Sequence, residues 1–214
     1  MKTNFLNILF VAFLGLAVVG CKDKAKEAET TDAETVAETT AEATKYSVDT
    51  AASTITWKGY KPTGSHDGTI AVESGVVTVK DGAIESGTFL IDMNSITVTD
   101  IPAEEEMNGK LVGHLKNADF FDVEKYPSAG FEVTGFENGN LSGNLKLKEK
   151  TNNITIPVTV TESGDSVTIT SETFTIDRSK WDVKYGSKSF FDNLGDKFIN
   201  DDIELKITVK ANKS

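Results

Sequence analysis

From residue 46 onward, apolar side chains recur at every second position in short runs, the signature of strands with one buried face. Ile55, Trp57 and Gly59 share a face opposite Thr54, Thr56 and Lys58, and Ile70 and Val72 alternate with Thr69, Ala71 and Glu73 before Val77 and Val79. Phe89, Ile91 and Met93 oppose Thr88, Leu90 and Asp92. Phe131 and Val133 oppose Glu132 and Thr134, and Leu141, Gly143, Leu145 and Leu147 follow. Ile154, Ile156, Val158 and Val160 form the cleanest set, then come Val167 and Ile169, and the chain closes on Ile203, Leu205, Ile207 and Val209. Phe174 and Ile176 change parity relative to Val167, which predicts a bulge or bend between them. Asp81-Gly82, Asn138-Gly139 and Ser163-Gly164-Asp165 are turn signals between runs. The pattern predicts eight to ten antiparallel strands in a barrel or a sandwich.

One segment breaks the period of two. Pro102 suits a first helical position, Glu104, Glu105 and Glu106 suit the positive end of a helix dipole, and Met107, Leu111 and Leu115 form a stripe. Gly109 and Gly113 weaken that helix, so packing must hold it.

The first 45 residues read differently. Phe5 to Val19 is apolar apart from Asn7, behind Met1 and Lys2. Its uninterrupted part, Ile8 to Val19, reaches about 18 Å as a helix, against the roughly 20 residues a membrane span requires. It reads as the core of a signal peptide covering residues 1–20. Leu16-Ala17-Val18-Val19-Gly20 precedes Cys21, the sole cysteine, and resembles a bacterial lipobox with Cys21 as the lipidated residue. Acylation there would hold the protein to a membrane of the bacterial cell envelope, facing the periplasm or the cell surface. Residues 22–44 carry three lysines against seven acids, with Val36 as the one large aliphatic residue. With no apolar face to dock, residues 21–45 are expected to be a disordered tether, leaving 46–214 as the folded domain.

Composition narrows the function. The chain has 214 residues, 38% hydrophobic and 26% charged, with net charge −11. It is neither wholly disordered nor disulfide-stapled, and a chain so acidic is repelled by phosphate backbones, so nucleic acid is not expected as a partner. Two histidines, His66 and His114, lie 48 residues apart, and no paired-histidine zinc motif, phosphate loop or nucleophile elbow accompanies them. Neither catalysis nor a metal or cofactor is expected.

The block from His114-Leu115-Lys116-Asn117-Ala118-Asp119-Phe120-Phe121 to Asp122-Val123-Glu124-Lys125-Tyr126-Pro127, followed by Phe131-Glu132-Val133, resembles the signature of the YceI-like family. Asp92 with Ser95-Ile96, Leu141 to Leu145, and Phe174 to Trp181 with Arg178 are similar to further family segments, in the same order. Leu111-Val112 replaces an Arg-Asp pair that many members carry, and Glu149 takes the place of a turn glycine. The resemblance implies a lipocalin-like antiparallel barrel of about eight strands with one short helix, binding a polyisoprenoid or another long-chain lipid.

On that implication, Trp57, Phe89, Ile91, Met93, Phe131, Val133, Leu145, Leu147, Ile156, Val158, Leu205 and Ile207 are expected to face the lipid. Arg178, Lys180 and His114 are the head-group candidates. The same apolar residues could instead fill a solid core, Arg178 could pair with Asp177 or another acid, and His114 could cap its own loop. Phe120, Phe121 and Tyr126 are expected to plug that loop. Two other functions stay open: an adhesion or glycan-binding surface using Tyr60, Trp181 and Tyr185, and a hydrolase with carboxylates near His114. Homodimerisation also stays open.

Overall fold

The computed structural model describes residues 25–214. The strands are β1 (Lys26–Glu27), β2 (Glu29–Asp32), β3 (Thr44–Val48), β4 (Thr54–Lys61), β5 (Gly64–Lys80) and β6 (Ala83–Asp92). After α1 (Glu106–Lys116) come β7 (Ser128–Glu137), β8 (Asn140–Leu147), β9 (Lys150–Ser163), β10 (Ser166–Ser171), β11 (Phe174–Asp177) and β12 (Asp202–Lys213). Eight of them close a ring, in the order β4-β5-β6-β7-β8-β9-β10-β12 and back to β4, every pair antiparallel. Closure leaves free edges only along the first half of β9 and along β11, and it encloses the alternating apolar faces. Asp81-Gly82 and Asn138-Gly139 have positive φ at both residues, the type I′ geometry that matches the twist of a hairpin.

The parity change between Val167 and Phe174 is a break in the wall. β10 pairs with β12 over Thr208–Asn212 and stops at Ser171, and β11 resumes on the same side of β12 at Leu205. β9 keeps pairing β10 only as far as Val158, so the first half of β9 and β11 leave a seam between them.

Residues 25–44 occupy that seam, which corrects the expectation of a disordered tether for these residues. β1 runs parallel to β11, the Ala28 amide donates to Thr175 O at 2.8 Å, and β2 pairs antiparallel with Asn152–Thr155 of β9. The strap then crosses the outside of the barrel. The Glu34 amide donates to Asn144 Oδ1 at 2.9 Å while Asn144 Nδ2 donates to Glu34 O at 2.7 Å. The Ala37 amide donates to Val133 O at 2.9 Å, beside the irregularity that separates Val133 from Gly135. Thr40 reaches Glu85, and Glu42 reaches Lys80. Only Ala28 becomes fully buried along this course. Main-chain bonding to open strand edges holds the strap, and that attraction leaves no mark in an apolar pattern.

The helix also begins later than expected. Pro102 lies in the turn before it, accepting from the Glu105 amide, and α1 starts at Glu106. Buried Asn108 fixes it by donating to Val98 O and Ile101 O at 3.1 and 2.7 Å. Along the expected stripe Leu115 is buried, Leu111 half-buried and Met107 exposed, so the apolar stripe reaches the core only at its C-terminal end.

Candidate functional site

The barrel is solid at one end and hollow at the other. At the end bearing the β4–β5 and β8–β9 turns lies a cavity of about 390 Å³. Ile55 and Trp57 of β4, Ile70 of β5, Ile91 of β6, Ala129 of β7, Leu145 and Leu147 of β8, and Ile203 and Leu205 of β12 form its wall. Met93, Ile96, Leu115, Phe120 and Phe121 close one flank, and Met107, Lys110, Leu111 and His114 of α1 stand along it. The Trp57 indole donates to Thr97 O at 3.1 Å, which ties the wall to the segment leading into the helix. Gly68 permits this approach, because a Cβ there would meet the same carbonyl at 1.8 Å.

One rung further down, the barrel fills. Phe89 and Phe131 turn inward with ring centroids 6.4 Å apart. Each sits over a glycine: a Cβ at Gly75 would fall 2.8 Å from the Phe89 ring, and one at Gly143 would fall 2.2 Å from Phe131. Beyond them Val77, Val133, Val167 and Ala211 have no exposed surface at all.

This level divides the predicted lipid contacts. Trp57, Ile91, Met93, Leu145, Leu147 and Leu205 line the cavity. Phe89, Phe131, Val133, Ile156, Val158 and Ile207 have the same facing but belong to the filled end, packed in or against the core. Period two fixes the face of a strand, not the depth along the barrel axis. Sequence reasoning missed Ile176, Ile199, Ile203 and His66, all on the cavity wall or mouth. Ile176 and Ile203 alternate with Asp177 and Asp202 and carried the usual strand signal. Ile199 lies in an irregular loop and carried none.

Of the head-group candidates, Arg178 is completely buried on the cavity wall, its guanidinium 5.2 Å from the Phe120 ring. Its Nη1 donates to Val183 O at 2.6 Å, Nη2 to Ile199 O at 3.1 Å and Nε to Asn200 O at 3.1 Å. Asp201 stands 3.4 Å away, while Asp177 caps the Ser179 amide instead. Burial lowers the pKa of Arg178, and the charges of Asp201 and Asp177 act against that. Arg178 thus clasps both stems of the loop that connects Trp181 to β12, with the other Asp201 oxygen accepting from Ser187 and Ser189. Lys180 lies off the cavity, paired with Glu27 of the strap at 3.0 Å. His114 lies on the wall, edge-on to Phe120 at 5.7 Å and to Tyr185 at 4.6 Å.

Polar groups gather at the mouth. Lys61, Lys110 and His66 border it, and His66 Nδ1 lies 2.8 Å from Asp100. Burial pushes the Asp100 carboxyl up, but the Asp67 amide and His66 outweigh it and hold Asp100 below its ordinary range. Burial and Glu204 push the Tyr60 hydroxyl up to about 12, so Tyr60 stays neutral.

The expected plug forms in part. Phe120 and Phe121 meet edge-on at 4.9 Å, whereas the Tyr126 hydroxyl points outward and donates to Glu149, the residue in the turn-glycine position. An aromatic platform of Tyr60, Trp181 and Tyr185 does not form, because Trp181 is wholly buried and donates to Leu145 O at 2.8 Å. Among the described residues, no three His, Cys, Asp or Glu side chains converge as a metal site would require.

A closed antiparallel barrel with an apolar cavity under a helix and a clasped loop defines a class of small-molecule binding folds. The sequence model of the YceI-like domain matches residues 46–211, and the chain belongs to that family. Among solved structures it is similar to BcnA of Burkholderia cenocepacia, at 23% identity and TM-score 0.60 over 77% of this chain and 99% of that one. It is similar as well to a polyisoprenoid-binding domain from Saccharophagus degradans implicated in plant cell wall breakdown, at 15% identity and TM-score 0.58 over 79% and 98%. A Campylobacter jejuni YceI protein aligns at 19% identity and TM-score 0.50 over 65% and 80%. At these identities the likeness concerns the fold. No curated protein matches the chain.

Proposed function

We propose that this protein is a non-enzymatic carrier or sensor that holds a long apolar lipid, of polyisoprenoid or similar type, in the cavity at the open end of its barrel. The observation that carries this reading is the cavity itself. Its volume falls within the roughly 300–1,000 Å³ of small-molecule pockets, and nearly all of its wall is hydrocarbon. A water-filled void with such a wall is unfavourable, and an apolar chain relieves it. The binding stated for the Saccharophagus degradans domain supports the same ligand class. The apolar chain lies between Trp57, Ile91 and Leu205, and the polar end stays at the mouth near Lys61, Lys110 and His66. Arg178, with three donors committed to main-chain carbonyls, shapes the wall.

The proposal includes a bacterial lipoprotein anchored at Cys21 and held in the cell envelope. Cys21 lies outside the described residues, so its support is the sequence motif. Because the strap packs from residue 25 onward, the reach from Cys21 to β1 is at most about 18 Å, and the barrel stays close to its membrane.

Native mass spectrometry of the full chain, purified under non-denaturing conditions, tests the binding. A co-purifying lipid that is absent from an Ile91→Phe variant supports it. A chain that carries no lipid, and takes none up from detergent-solubilised envelope extract, contradicts it. For the anchor, Cys21→Ser should abolish acyl labelling and release the protein from membranes. Unchanged membrane association would overturn that part.

A further inference from the structure

Among the described residues six large hydrophobic side chains are exposed, and four of them belong to the elements that frame the cavity mouth. Met107, 56% exposed, projects from the first turn of α1. Tyr185, 45% exposed, rests on His114 of the same helix. Phe190 and Phe191, 49% and 50% exposed, stand side by side on the loop whose stems Arg178 clasps. The base of that loop, Ile199 and Asn200, lines the cavity.

Two adjacent phenylalanines in water cost hydration free energy, and folding ordinarily hides them. Here the loop is built to keep them out. The backbone amides of Phe190 and Phe191 donate back to Ser187 O, Ser187 is itself fully buried, and its hydroxyl donates to Asp201. Lysines flank the aromatics, with Lys184 Nζ 4.7 Å from the Phe190 ring and Lys188 Nζ 3.5 Å from the Phe198 ring. Lys61 and Lys110 add two more cations at the mouth. Rings flanked by long cationic side chains suit the interface of a bilayer, where the rings enter the acyl boundary and the ammonium groups stay among lipid phosphates.

The geometry points to the mouth rim, Phe190 and Phe191 with Met107 and Tyr185, as a membrane-docking surface through which lipid passes between a phospholipid bilayer and the cavity. This rests on the lipid-carrier reading above and adds the partner. A ligand that is insoluble in water must be exchanged with a lipid phase, and the rings are joined to the cavity wall through His114, which Tyr185 touches, and through Ile199 and Asn200 at the base of their loop. An anchor within about 18 Å of the strap also keeps the bilayer within reach. Asp192 and Asp196 share the loop with the lysines, so the rings rather than the charge should carry most of the contact.

The test uses the full chain bound to vesicles of phosphatidylcholine and phosphatidylglycerol with brominated acyl chains. Phe190→Trp places a reporter on the rim. Leu90→Trp places one on β6, at an exposed position outside the cavity lining. Trp57 and Trp181 are buried and form a common background. Both variants share the same N-terminal attachment, so their difference reports orientation alone. The expected result is that brominated lipid quenches the rim reporter at least twofold and shifts its emission to the blue, with little change at Leu90→Trp. A double variant, Phe190→Ser with Phe191→Ser, should slow uptake of lipid from vesicles about tenfold and hold the same amount of lipid once loaded from detergent. Equal quenching at the two positions, or an unquenched rim with unchanged uptake in the double variant, overturns the docking surface. Native mass spectra of the same samples separate this from the carrier reading: a quenched rim on a chain with an empty cavity supports docking and contradicts only lipid carriage.

Discussion

The two ends of this barrel are built from the same strands and the same alternation, yet one is filled and the other hollow. On β6 the change falls between Ile91 and Phe89, on β7 between Ala129 and Phe131, on β8 between Leu145 and Gly143, and on β12 between Leu205 and Ile207. At the filled end each phenylalanine packs over a glycine of the neighbouring strand, so large and small side chains interlock at close-packed density. At the hollow end β4, β5, β6, β8 and β12 contribute Ile, Leu and Trp side chains, β7 contributes only Ala129, and β9 and β10 line nothing. A floor of two rings over two glycines sets the depth of the cavity. Facing is thus a property of each strand, while filling is a property of residue pairs that the strand register brings together.

Several substitutions can break or sharpen this contrast. The largest effect is expected at the floor. Gly143→Val drives a side chain into the Phe131 ring from a β-carbon position only 2.2 Å away. The Phe131 ring would have to leave its place in the floor, so destabilisation of about 3 kcal/mol is expected in urea unfolding. A cost under about 1 kcal/mol would mean that the floor is soft.

The seam comes next. Asn144→Ala removes both bonds to Glu34 and leaves buried Asn153 without its 3.1 Å acceptor. A loss of about 2 kcal/mol is expected, with faster proteolysis between residues 33 and 43. Unchanged stability and protection would show that the strap contributes nothing to the barrel.

The smallest effect belongs to the rim of the hollow end. Asp100 has a folded-state pKa below its unfolded value of about 3.9, so its contribution is present above about pH 4 and disappears as pH falls through the lower folded value. Asp100→Asn should therefore cost about 0.5 kcal/mol at pH 6 and flatten the loss of stability between pH 4 and pH 2. An acid limb identical to that of the parent would remove Asp100 from the account.

Much of the fold was legible in the chain because its causes are local. Period two marked the strands, and Asp-Gly and Asn-Gly marked two hairpins through their tolerance of positive φ. The parity change near Phe174 marked the break in the wall. The strap was not legible, since Lys26 to Glu42 binds through main-chain amides and single polar side chains, with Ala28 as its one buried residue. The site was half legible for the same reason. Trp57, Ile91 and Leu205 could be assigned inward, but only the three-dimensional pairing of Phe131 with Gly143 separates them from Val133, Ile156 and Ile207. Arg178 stood out in the chain as a head-group candidate, whereas its burial and its clasp on Val183, Ile199 and Asn200 depend on a loop fold that no periodicity encodes.

The central claim, a cavity for an apolar lipid above a solid floor, is tested most directly by adding the same bulk at both levels. Ile91 lines the cavity, and Ile156, 2% exposed, is packed in the filled end. Ile91→Phe and Ile156→Phe are compared with the parent chain for bound lipid by native mass spectrometry and for urea midpoint after delipidation. The account predicts that Ile91→Phe loses the lipid at an unchanged delipidated midpoint, while Ile156→Phe is destabilised by about 1 to 3 kcal/mol. Equal destabilisation by the two substitutions, in a chain that never carried lipid, would contradict it.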